Sequence, residues 1–290
     1  MDLTKNFIKA KQPCADGFRW FIRNHANGSH YQDLLDALVA DGRANDACWL
    51  LDQFGPTDAV LRVDTIEAAA LVFAGTLEVR GNIEVDGIVR AGRMICAGGS
   101  LRAGEAIIAG GDVRVEGGVR SEGRIEVGGD LRAGWGVEAD GALSVGGDLR
   151  CAWDLVCGDS LCVEGGAFVG ADLIGRAAVR CGKGLQVGGQ VVGADLVRAG
   201  QGIVAGAGID CARHLEAGWG IKSGQDIAAQ GAIRAGESLQ AIGEIRAGTG
   251  YGVFAGLSVP IDAWEASAQV CARVRPADLL SGWWAGAAAL

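Results

Sequence analysis

Leu101-Arg102-Ala103-Gly104-Glu105-Ala106 and Ile125-Glu126-Val127-Gly128-Gly129-Asp130 are two copies of one six-residue unit. Each opens on an aliphatic residue, places a small apolar residue two positions later, and closes with three residues rich in Gly, Asp or Glu. Stepping by six from Leu71 to Leu257 meets thirty-two such openings, and all but Ala167 and Tyr251 are Leu, Ile or Val. The second column, from Val79, Val85, Ala91, Ala97 and Ala103 onward to Val259, holds Ala, Val, Cys, Ser or Gly except at Phe73. In an extended strand residues i and i+2 point the same way, so both columns face inward and the residue between them faces solvent. Three sides close one triangular coil of about 18 residues, and coils stack at roughly 4.8 Å. The expected fold is mainly β, a single-stranded triangular β-helix whose hexad runs without interruption over residues 71–259. Glycine at its corners is expected to supply positive φ angles. A flattened coil of about 12 residues would crowd Leu and Ile into too thin an interior.

Composition agrees. The 290 residues include 49 glycines, too few for a glycine at every third position, and 49% apolar residues, too many for a disordered chain. A net charge of −9 disfavours nucleic acid as a partner. The start, Met1-Asp2-Leu3-Thr4-Lys5, lacks a signal-peptide pattern, and the tail from Gly282 to Leu290 is too short to span a bilayer. Nine cysteines without a C-x-x-C pair read as free thiols, so the expected location is the cytoplasm, with no membrane partner, metal or cofactor.

The ends read differently. Within residues 1–58, Phe18, Phe21 and Ile22 are helically spaced; Tyr31, Leu34, Leu35, Leu38 and Val39 follow to Asp41-Gly42; Ala47, Leu50, Leu51 and Phe54 precede Gly55-Pro56. This predicts a three-helix unit capping the β-helix of residues 59–259, the alternative being an independent recognition domain. Pro260 breaks the hexad, and residues 260–290, with Trp264, Trp283 and Trp284, read as a C-terminal cap.

The [VI]-x-[AV] order before a Gly-containing turn, as in Val113-Arg114-Val115-Glu116-Gly117, resembles that of bactofilin-type polymer-forming proteins over residues 71–259. The resemblance implies a right-handed triangular β-helix that polymerises through bare coil ends; two caps would prevent that here. Hexapeptide-repeat acyltransferases are also similar, but place the small residue before the large one. That resemblance implies a groove histidine beside an extruded loop. Of three histidines, His25 and His30 lie in the helical unit, and His214 sits at an outward corner beside Arg213, with no loop inserted in the hexad. Cys157 and Cys162 fall in inward and outward columns and cannot share a metal. Strings such as Gly200-Gln201-Gly202 precede a strand, where a phosphate-binding loop would need a helix.

Two outward features stand out. Arg114, Arg132 and Arg150 form a column on the face before a corner where Trp135 and Trp153 should stack, a cluster able to hold an anion or an aromatic side chain, or else a packed surface ladder. Val156, Ile174 and Val192 form an apolar ladder 18 residues apart, with Phe168 and Val204 on a neighbouring face, where a solvated surface should be charged. The ladder is either covered by the chain's own ends or is an interface, including a two-fold contact between copies. The expected function is a non-enzymatic β-solenoid scaffold that presents a rigid face to a protein partner or to itself, the latter as a homodimer. The alternatives are a hexapeptide-type acyltransferase, and an acidic mimic or inhibitor acting on a nucleic-acid enzyme. Residues 60–259 hold 24 acidic residues interspersed with 18 basic ones, which is too mixed for a convincing mimic.

Overall fold

The computed structural model describes residues 2–287; the last three residues of the expected C-terminal cap lie outside them. Parallel strands, mostly of three residues, wind into a β-solenoid with three faces. Face I, which opens at Val60–Val63, has 13 strands; face II, from Ile66–Ala68, has 11; face III, from Leu71–Phe73, has 12. The chain visits them in the order I, II, III. Strand partners stand 18 residues apart, as in Leu131↔Leu149, Val137↔Leu155 and Leu143↔Leu161. Both inward columns are buried, and Leu131, Leu143, Leu149, Leu155 and Leu161 are at most 1% exposed.

The hexad is not continuous to residue 259. It holds its register to Ile245, after which Val253 pairs with Ile233 and takes the inward place, a slip of two residues. The extra residues form a turn at Gly250, whose φ is +82°, and Tyr251 swings out to meet the His214 ring edge-on at 5.4 Å. Leu257 is likewise on the surface. A loop carrying the short helix Trp264–Ser267 follows, and the chain then rejoins the solenoid, with Gln269–Cys271, Leu279–Ser281 and Trp283–Gly286 extending faces I and III. Aliphatic spacing alone could not reveal this shift, because Tyr251 and Leu257 continue the period by coincidence.

Corner glycine also works differently from the expectation. No glycine between residues 71 and 245 has positive φ. Its role is close approach: a Cβ at Gly104 would lie 2.0 Å from the Asp86 carbonyl oxygen one coil earlier, and one at Gly128 would lie 2.4 Å from that of Gly110. Side chains complete the corners. Asp112 Oδ1 accepts from the Asp130 amide at 3.0 Å, Asp130 from Asp148 at 2.9 Å, and Asp148 from Gly166 at 3.0 Å. Asn82, Ser100, Asp154, Asp172 and Asp226 make the same bond elsewhere.

The N-terminal unit has four helices where periodicity suggested three: α1 (Lys5–Ala10), α2 (Ala15–Asn24), α3 (Tyr31–Ala40) and α4 (Ala44–Phe54). α1 buries only Ile8, too little to leave a periodic signal. The unit covers the side of the first coils. Its core continues into Val72 and Ala74, and Cys48 packs on Ile88, Ala106 and Ile108, all on or beside face III. Gln32 substitutes for a missing strand: its Nε2 donates to the Val72 carbonyl and its Oε1 accepts from the Ala74 amide, both at 3.0 Å. Ion pairs from Arg90 to Asp52 and from Arg93 to Asp58 fasten the seam. The first strands of faces I and II lack such cover, and their inward Leu61, Val63, Ile66 and Ala68 stay half-buried. Exposed Arg62, Asp64 and Glu67 line those edges, as in sheets that resist edge-to-edge pairing.

Two outcomes follow from this packing. Leu143→Asp sets an unpaired charge in a fully buried column and is expected to cost about 3–5 kcal/mol or prevent folding, read by thermal melting. Deleting residues 1–54 bares Val72, Ile88, Ala106 and Ile108 and frees the groups held by Gln32, so the truncated solenoid should aggregate in light scattering while the full chain does not.

Candidate functional site

Each hexad places one residue outward, so every face carries a column of side chains at the coil spacing. On face I this column reads Arg114, Arg132, Arg150, Phe168, Gln186, Val204; on face II it reads Arg120, Glu138, Val156, Ile174, Val192, Asp210. The two faces meet at the corner holding Trp135 and Trp153. The arginine–tryptophan cluster and the apolar ladder are therefore parts of one strip along the edge between faces I and II.

The strip is open. Ile174 and Phe168 are each 38% exposed and Val204 is 43% exposed, while Val156 and Val192 are half-buried by their neighbours in the column. The N-terminal helices sit on face III and the C-terminal strands extend the far end, so neither covers the ladder.

The arginine column is neutralised within the chain. Arg114 pairs with Asp112 at 2.8 Å, Arg132 with Asp130 at 3.5 Å and Arg150 with Asp148 at 3.5 Å. These are the aspartates whose other oxygens hold the corners, so the column is a surface ladder and does not form a cationic patch. Arg150 also lies over the Phe168 ring, 4.9 Å from its centroid, which fixes that ring flat along face I. The expected stacking of Trp135 on Trp153 does not occur: among the described residues neither indole makes a ring or cation–π contact, and both stand 63% exposed. Each indole projects from its corner into solvent on its own. Trp219, 52% exposed at a different corner, was not singled out by sequence, although its setting Gly218-Trp219-Gly220 repeats Gly134-Trp135-Gly136.

His214 has a structural task. Its Nδ1 accepts from the Ala232 amide at 3.0 Å, the corner bond made elsewhere by Asp, Asn or Ser. The inward cysteines are similarly absorbed: Cys157 and Cys211 donate to corner carbonyls such as Asp159 and Asp195, as Ser223 does to Ala207. Burial pushes the Cys151 and Cys181 thiols up to about 12. Among the described residues no His, Cys, Asp and Glu side chains gather as a metal-binding group, and no helix is long and apolar enough to cross a membrane. The helical unit holds an apolar cavity of about 170 Å³ between α2, α3 and α4, lined by Trp20, Phe21, Leu34, Leu38 and Trp49.

Residues 1–54 match the family described as the YdhT N-terminal domain, a span that coincides with the four helices and stops before the first solenoid strand. No curated protein and no solved structure matches the chain.

Buried thiols yield a direct test of the coil interior. Cys151, Cys157, Cys181 and Cys211 should resist a thiol reagent near pH 8 in the native protein, whereas exposed Cys14 reacts, and denaturant should release all of them. Because folding raises the Cys151 and Cys181 pKa above the ordinary thiol value of 9.0, their protonated form contributes stability that is complete below pH 9 and lost as pH climbs toward about 12. Melting temperatures that stay flat across that range would contradict the burial.

Proposed function

We propose that the protein is a non-enzymatic β-solenoid scaffold whose working surface is the edge between faces I and II, presented to a protein partner or to another copy of the chain. The observation that carries this reading is the contrast between two sets of outward apolar residues. Val72 and Ile108 on face III lie beneath the helices, whereas Phe168, Ile174 and Val204 remain open. An outward aliphatic in a three-residue strand contributes nothing to the coil interior, so its burial gain comes from whatever lies against the face.

The likeness of the hexad to that of bactofilin-type proteins also supports a structural role. The use of His214 as a corner ligand supports it over acyl transfer, which needs a free imidazole. The paired charges along the columns support a protein surface as the partner in preference to a nucleic acid, and a cytoplasmic setting suits the free thiols.

A photo-crosslinking residue placed at position 174 or 204 should give discrete adducts in cells, while the same residue at exposed Ser144 on face III should not. Equal labelling at all three positions would defeat the assignment of the surface. Ile174→Arg should abolish the adducts made from position 204 and leave the melting temperature nearly unchanged, since the side chain lies outside the core.

A further inference from the structure

We infer that face II binds face II of a second copy, with the two solenoids antiparallel and a two-fold axis running along the strands midway between the coils of Val156 and Ile174. The inference rests on the scaffold reading and names its partner.

Two faces in contact can be related by a two-fold axis along the solenoid or along the strands. The first sets every coil against its own copy, so that Glu138, Arg120 and Asp210 each meet themselves. Like charges in register exclude it. The second reverses the coil order and keeps the Trp corner of one copy over the same corner of the other. Only the register then remains to be chosen.

An axis through the Val156 coil drives Trp153 against Trp153 and sets Ile174 on Glu138. An axis through the Ile174 coil sets Glu138 on Asp210 and Arg102 on Arg246. Half a coil further along, Val156 meets Asp210 and Arg120 meets Arg246. The register between Val156 and Ile174 has the fewest faults: no like charges meet along the column, and only Glu138 lies on an apolar side chain, that of Val192. Val156 meets Ile174, Arg120 meets Asp210, and Glu84 meets Arg246, each pair occurring twice by symmetry. All six are outward residues of face II.

The edges of the face agree with this register. Trp153 projects over the corner Gly170-Ala171 of the second copy, and Trp135 over Gly188-Gly189, beside Val192. Large knobs thus meet the smallest corners. On the opposite edge, exposed Asp159 meets exposed Arg176, two residues that make no ion pair among the described residues of their own chain, and Glu122 meets Arg213. Two like-charge approaches remain: Asp140 to Asp195, where Asp195 is already paired with Arg213 at 3.1 Å, and Asp154 to Asp172, whose Oδ1 atoms each accept from a backbone amide.

The size is sufficient. About ten coils at roughly 4.8 Å and a face roughly 15 Å wide present about 700 Å² per copy, close to the roughly 800 Å² of a standard interface. Its centre is aliphatic, and its rim carries the indoles and the charged groups.

Sedimentation equilibrium of the full-length protein alone tests the inference. The expected mass is twice the 29.7 kDa of the chain. Ile174→Arg should give the single-chain mass with an unchanged melting temperature. Asp210→Arg, at an exposed charged position, should weaken the dimer at least about tenfold, as should Arg120→Asp, and the two together should restore it. A single-chain mass for the wild type at about 100 μM overturns the dimer. A dimer that the double swap fails to restore overturns the register. Monomeric wild type that still yields crosslinks to another protein from position 174 removes only the second copy as partner, whereas absence of both removes the scaffold surface as well.

Discussion

Backbone hydrogen bonding between residues 18 apart is the constraint on which the rest of this structure depends. Each coil must lie about 4.8 Å above the last, with no lateral freedom, because every strand donates and accepts along the axis. Inward side chains therefore stack on near copies of themselves, and a column of Leu or Ile at one position must be matched by a column of small residues two positions on if three faces are to close. The same spacing explains the corners. A Cβ at Gly104 would strike the previous coil's carbonyl, so the glycine serves stacking, and the aspartate ladder through Asp112, Asp130 and Asp148 extends the axial hydrogen bonding into turns that have no strand. Ser223, Cys157 and Cys211 bring polar groups into the small column because corner carbonyls lie within their reach.

What the sequence disclosed follows from which features repeat. The inward columns, the 18-residue pairing and the shared outward direction of Val156, Ile174 and Val192 all depend on period alone. The docking of the helices on face III does not repeat. Val72 and Ile108 are outward aliphatics of the same kind as Ile174, and nothing local separates the covered pair from the open ladder. Only the length and position of the chain that packs on them does. α1 was missed for a related reason, since one buried residue makes no pattern, and the slip after Ile245 was masked by Tyr251 and Leu257, which keep the period while leaving the core. The Trp corner and the aliphatic ladder were legible as separate features, but their union into one strip needed the order of the faces.

Charge on the surface is organised by the same geometry. A column brings successive outward residues within ion-pair reach, as between Arg120 and Glu138 at 3.3 Å and between Glu216 and Arg234 at 3.5 Å. Such exposed pairs stabilise by at most about 1 kcal/mol each. Their larger effect is to neutralise the arginine column of face I within the chain. Asp159 and Arg176 are among the described residues that form no ion pair, and Trp135, Trp153, Phe168 and Ile174 are unburied, all within a few coils of one another.

A rigid ladder of columns also sets how a partner can be chosen. In a conventional globular surface a displaced contact can be recovered by rotating a side chain or shifting a loop. Here every outward residue is fixed at multiples of the coil rise, so sliding a partner by one coil changes every pairing along the face together. The discrimination between neighbouring registers is then a sum over the whole column, and a few like-charge meetings, such as Glu138 on Asp210, are enough to reject an otherwise apolar fit. In the proposed contact between copies, specificity would reside in the order of residues along a column, so that short strands with one outward residue each could define a single mode of association without any pocket.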